Sequence, residues 1–137
     1  MEQKVLFKVH MPKSVDKPLL EVLHSGFIGQ GKKVDEFEEK LGCYFGNKKV
    51  LTLNSGTSGL HLALRLADVD HGDEVITTAM TCTATNMPIL AAGAKLVWAD
   101  VDPITGLIDP QAIEKKITAK TKAIVMVHFG GIPCDIS

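Results

Sequence analysis

The stretch VLTLNSGTSGLHLAL, Val50–Leu64, decides how the rest of the chain is read. It opens as an apolar strand, breaks at Asn54-Ser55-Gly56, and resumes as a helix with leucine on one face. A glycine-opened, hydroxyl-lined turn between two buried elements is either a tight corner or a seat for an anion. Gly56 lets backbone N–H groups approach a ligand, and Ser55, Thr57 and Ser58 offer hydroxyls. The helix that follows brings the positive end of its dipole to the same point. That combination suits a phosphate, although it is neither the Walker pattern nor GxGxxG.

Downstream of this turn the rhythm is regular. Thr57 to Ala67 reads as a helix, Asp73 to Thr78 as a strand, and Thr83 to Ala92 as a helix ended by Gly93. Lys95 to Val101 is a further strand, and Asp109-Pro110 is an N-cap with proline at the first helical position, opening a helix to about Ile117. Thr121 to Phe129 closes the series as a strand. With Lys49 to Leu53 counted, four strands alternate with three helices, and the strands are mostly apolar on both faces. This pattern predicts an α/β fold with a mostly parallel sheet covered by flanking helices. Such sheets bind ligands at the carboxyl ends of their strands, where loops feed helix N-termini.

Upstream, residues 1–13 read as an extended arm closed by Met11-Pro12, with Ser14 as N-cap of a helix to about His24. Pro18 is tolerated there because the first helical N–H groups have no intrahelical partner. Gly26, Gly29 and Gly31 then break the chain, and a second helix carries Val34, Phe37, Leu41 and Tyr44 or Phe45 before Gly46. The division is into an arm with helices, 1–47, and a sheet-bearing part, 48–137.

A chain of 137 residues accommodates one ordinary domain. Hydrophobic content of 45% and charged content of 23% describe a globular protein. A formal charge of −1 offers no basic excess for nucleic acid or an anionic membrane surface. No apolar run reaches membrane-spanning length, and the first residues lack a signal-peptide pattern. Cys43, Cys82 and Cys134 fit neither a disulfide framework nor a zinc pattern, which points to a reducing cytoplasm.

Other polar groups have plainer roles available to them. The junction Thr78 to Asn86 is rich in small hydroxyl residues, and Cys82 within it either lines a pocket or fills space. His61, Arg65 and Asp68 read as a solvated helix face. His128 stands at a strand end before two glycines with no visible partner. Asp100 and Asp102 look like a metal pair, but Asp-x-Asp-Pro leaving a strand is more often turn chemistry.

The order of motifs then carries a resemblance. Gly26-x-x-x-x-Gly31, Val34-x-x-Phe37-Glu38 and Asn54 to Leu64 resemble the N-terminal part of the DegT/DnrJ/StrS nucleotide-sugar aminotransferases. So do Gly72 to Thr77, Thr81 to Asn86, Gly93-Ala94, Asp100 to Pro103 and Val127 to Gly131. The resemblance covers nearly the whole chain, and its specificity lies in the ordered set.

The resemblance implies part of the large domain of a fold type I pyridoxal-phosphate enzyme. Such enzymes work as homodimers and move an amino group, usually from glutamate, to a keto sugar on a nucleoside diphosphate. Gly56 and Thr57 match the positions that hold the cofactor phosphate, with Ser55 and Ser58 flanking. Cys82 matches the position where many relatives stack an aromatic ring on the cofactor, and a thiol cannot stack. Phe27 and Ile28 match a loop bordering the sugar site. The Schiff-base lysine and the aspartate that pairs with the pyridine nitrogen lie beyond Ser137 in the family pattern, so the chain is expected to be an N-terminal fragment, inactive alone. The same topology separates Lys49–Leu53 from the later strands, leaving edges that favour self-association. A non-catalytic or regulatory protein on this scaffold, or a sugar dehydratase related to these enzymes, is the alternative.

Overall fold

A computed structural model describes residues 8–136, which form two compact units, the first ending at Thr52 and the second beginning at Leu53.

In the first unit a 3-10 turn, Lys13–Val15, leads into α1, Asp16–His24, and α2 spans Lys32–Phe45. Ser14 is not the N-cap expected of it. It lies inside the 3-10 turn, and Val15 at the cap position makes no side-chain hydrogen bond. The extra turn forms because the Val15 amide bonds the Pro12 carbonyl. Residues 1–7 of the expected arm lie outside the described residues. The α2 helix ends as the sequence indicates: Gly46 adopts φ 65°, and the Asn47 amide reaches back to the Gly42 carbonyl at 3.0 Å. This Schellman closure also explains Gly42, where a Cβ would stand 3.2 Å from the Asn47 carbonyl oxygen.

The stretch 49–53 is not a strand. A strand exists through its ladder, and no described residue offers these positions one. The segment is held by side-chain chemistry: one carboxylate oxygen of Glu38 accepts both the Thr52 amide at 2.7 Å and the Thr52 hydroxyl at 2.8 Å. Those two bonds hold the Glu38 carboxyl below its usual range.

The second unit contains a parallel three-stranded sheet in the order β2-β1-β3, with β1 Glu74–Thr77, β2 Lys95–Trp98 and β3 Thr121–Ile124. The helices are α3 Gly56–Leu66, α4 Thr83–Ala91 and α5 Pro110–Glu114. All four residues of β1 are buried, as a central strand covered on both faces requires. Val75 faces Leu64, Val69 and Ile89, so α3 and α4 cover one side. Ile76 faces Leu107, Ile108, Ile113 and Cys134, so α5 and its neighbouring turns cover the other.

Three elements are shorter than the pattern indicates; β2, expected to Val101, stops at Trp98, and Val101 makes only an isolated antiparallel bridge to Ile108. β3 stops at Ile124, with one more ladder bond from the Val125 amide to Ile76, because the chain then curls into the 3-10 turn Phe129–Gly131. α5 keeps its Asp109 cap, whose carboxylate accepts the Gln111 amide at 2.9 Å, but ends at Glu114 in a run of turns.

Candidate functional site

Each helix of the α3/α4 layer runs against the strands. α3 precedes the amino end of β1, and α4 leaves its carboxyl end and returns to the amino end of β2. The Gly72 amide bonds the Gly93 carbonyl at 3.4 Å where the two helices finish. Since α3 and α4 pack against each other, their N-termini share the carboxyl end of the sheet. This is where an open α/β sheet places its ligand.

The α3 N-terminus is built by Asn54-Ser55. Ser55 is extended (φ −158°, ψ 155°), and its hydroxyl oxygen accepts the Ser58 amide at 3.1 Å. The Ser58 hydroxyl donates to the Asn54 side-chain carbonyl at 2.8 Å and lies 2.9 Å from the Ser55 hydroxyl. With the Ser58 hydrogen committed to Asn54, the Ser55 hydroxyl donates to Ser58, and both hydroxyl hydrogens point inward. The Gly59 amide bonds the Ser55 carbonyl. The Gly56 and Thr57 amides have no partner among the described residues, nor has the Thr57 hydroxyl. A Cβ at Gly56 would meet nothing within 4 Å, so a side chain or ligand atom has room beside Gly56. Two free amides, one free hydroxyl and a helix dipole make a seat for an anion.

The second junction is more ordered than its sequence shows. Cys82 sits exposed at the N-cap position of α4, where its side chain makes no capping bond. Behind it, the Thr77 hydroxyl donates to the Asn86 side-chain oxygen at 3.0 Å, and the Asn86 amide group donates to the Thr78 carbonyl at 3.2 Å. Sequence reasoning passed over Asn86. The available signal was an asparagine inside an otherwise apolar helix, where a polar side chain needs a buried partner.

Phe27 and Ile28 belong to the first unit. The Phe27 ring lines a hollow of about 370 Å³ with Val22, Ser25, Gly31 and Val34, and Ile28 is 74% exposed. A groove of about 710 Å³ runs past Thr78, Met80, Trp98, Asp100 and Lys115 on the α5 side of the second unit, and neither the Ser55–Ser58 turn nor Cys82 lines it.

The remaining polar candidates have structural roles. Asp102 closes a turn, accepting the Thr105 and Ile104 amides at 2.7 and 2.9 Å and the Thr105 hydroxyl, which lowers its carboxyl below the usual range. No group of three or more metal-ligating side chains occurs among the described residues. His128 does have a partner: its Nδ1 accepts the Cys134 amide at 3.0 Å, and the Cys134 thiol donates to the Val127 carbonyl. Arg65 lies 4.0 Å from Asp70, both exposed, and Asp68 ends α3 in the left-handed region at φ 54°.

Residues 10–137 match the family model of the DegT/DnrJ/EryC1/StrS aminotransferase family. The chain belongs to this family. Among similar proteins is the spore coat polysaccharide biosynthesis protein SpsC of Bacillus subtilis (strain 168), 43% identical over 85% of this chain and 30% of the relative. Solved structures include the sugar aminotransferase CalS13 from Micromonospora echinospora, with 44% identity, a TM-score of 0.87, and coverage of 96% of this chain and 36% of that one. The PLP form of Spr1654 from Streptococcus pneumoniae gives 39% identity, a TM-score of 0.86, and coverage of 92% and 32%. The fold is thus α/β, part of the fold type I large domain, and the chain spans about a third of the length of these relatives. No helix among the described residues is long and apolar enough to cross a membrane.

Proposed function

We propose that this chain carries the cofactor-phosphate seat of a pyridoxal-phosphate-dependent sugar aminotransferase. The substrate is a keto sugar on a nucleoside diphosphate, and the amino donor is an amino acid, glutamate. The observation that carries this reading is the pair of free amides at Gly56 and Thr57 at the start of α3 in a chain of this family.

Pyridoxal phosphate, when bound, supplies the electron sink that allows an amino group to be moved. The residues present fit its phosphate. The Gly56 and Thr57 amides and the Thr57 hydroxyl donate to it, and the α3 dipole favours its charge. Ser55 and Ser58 flank the seat and hold its shape, since their hydroxyls are spent on each other and on Asn54. Cys82 gives a small, polarisable contact beside the cofactor ring in place of a stacked aromatic. Phe27 and Ile28 border the sugar. The lysine and aspartate of the family pattern come from sequence beyond Ser137, and the working enzyme is a cytoplasmic homodimer. The 137-residue chain alone binds the phosphate reversibly and does not transfer amino groups.

Reading the coding sequence past Ser137, then assaying the longer product with glutamate and keto sugar nucleotides, tests this. The reading requires a lysine and an aspartate at the family positions and glutamate-dependent amination. A histidine in place of the lysine, with sugar dehydration, or an absent lysine with no activity, would contradict it.

A further inference from the structure

Among the described residues the buried polar ones are Glu74, Thr77, Thr78 and Asn86, and the last three meet at one place, the carboxyl end of β1. Asn86 is 8% exposed, and burying its amide is costly unless both ends are bonded. Both ends are. Its oxygen accepts from the Thr77 hydroxyl and its nitrogen donates to the Thr78 carbonyl, so each bond crosses from the first turn of α4 to the end of β1. The apolar contacts of Ile89 on the same helix bury area but set no rotation, because apolar burial is non-directional. The two Asn86 bonds are directional and fix both the height and the rotation of α4 against the strand.

Between these anchors three further bonds tie the loop. The Thr78 hydroxyl oxygen accepts the Met80 amide at 3.1 Å, the Ala79 carbonyl accepts the Thr81 amide at 2.9 Å, and the Thr81 and Thr85 hydroxyls lie 2.9 Å apart. We propose that Asn86 is the positioning residue of the cofactor site. Through Thr77 and Thr78 it holds the loop Ala79–Cys82, and with it the Cys82 thiol, at the mouth of the sheet. The positioning of the loop stands on the geometry alone, and its consequence for the cofactor rests on the reading given above.

The test uses the 137-residue chain and its Asn86→Ala, Thr77→Val and Thr77→Ser variants. Amide hydrogen exchange is followed at Met80 and Thr81 in the loop and at Val75 and Ile76 in β1. Thr77→Val, which loses one hydrogen bond, is expected to speed loop exchange about tenfold relative to the β1 amides, and Asn86→Ala, which loses two, by at least as much. Thr77→Ser keeps the hydroxyl and should leave the ratio unchanged. An unchanged ratio in both disrupting variants, or equal acceleration at all four amides, would overturn the proposal. In a Cys43→Ser background, pyridoxal phosphate should slow alkylation of Cys82 in the parent, and that protection should vanish in Asn86→Ala. Lack of protection in the parent would count against the cofactor reading alone, leaving the exchange ratio to decide the role of Asn86.

Discussion

The Ser55 hydroxyl oxygen accepts the Ser58 amide at 3.1 Å, so the third amide of α3 is satisfied internally while those of Gly56 and Thr57 are left for a ligand. Cap and seat are therefore separable. Ser55→Ala should lower stability by about 1 kcal/mol in urea unfolding, the usual worth of an N-cap. Ser55→Asp should keep that stability yet weaken phosphate binding severalfold, because its carboxylate sits beside the anion.

Gly56→Ala makes the complementary cut. Its Cβ enters open space, and the position does not require a left-handed backbone, so stability should hold or rise slightly. We expect the same methyl to crowd a phosphate drawn up to the two free amides. Pyridoxal phosphate affinity, read by fluorescence or NMR titration, should fall about tenfold, the equivalent of one lost charge-assisted bond.

Glu74 gives the pH dependence. Lys95 at 2.9 Å and the Thr118 hydroxyl at 2.7 Å hold this carboxyl below its usual range. A carboxyl depressed in the folded state contributes stability above its unfolded pKa and loses it as pH falls through the folded value. Melting temperature should thus drop as pH goes below about 4.3. Glu74→Gln should be less stable than the parent near neutrality, with the gap closing in acid. A gap that widens toward low pH would contradict the assignment.

Asp68 terminates α3 with φ 54°, its amide on the Arg65 carbonyl and the Val69 amide on the Leu64 carbonyl. A non-glycine residue there carries a steric cost. Asp68→Gly should raise stability by up to about 1 kcal/mol in thermal unfolding, offset in part by the entropy glycine gains when unfolded.

What was legible in the sequence was chemistry confined to a few neighbouring residues. Ser55, Asp109-Pro110 and Gly46 act on amides or carbonyls within about one turn, and each lies where the local pattern places it. Period and apolar content also point to strands over Asp73–Thr78 and Lys95–Val101, observed as Glu74–Thr77 and Lys95–Trp98, and to the class of sheet. Lys49–Leu53 could not be judged this way, because strand character depends on a partner elsewhere in space. β3 ends at Ile124, short of the Phe129 that the pattern indicates, for a similar reason: the turn-back of Phe129–Cys134 is fixed by the His128 ring and the Cys134 thiol, six and seven residues apart from their partners. Asn86 escaped notice because its partners, Thr77 and Thr78, become neighbours only after α4 folds back onto β1.

The central claim is that the turn between Asn54 and Gly59 seats the phosphate of pyridoxal phosphate. An NMR titration of the chain with pyridoxal phosphate, and in parallel with pyridoxal, measures this most directly. The account predicts saturable shifts of the Gly56 and Thr57 amides with pyridoxal phosphate and none with pyridoxal. Equal shifts with both compounds, or none at these two amides, would contradict it.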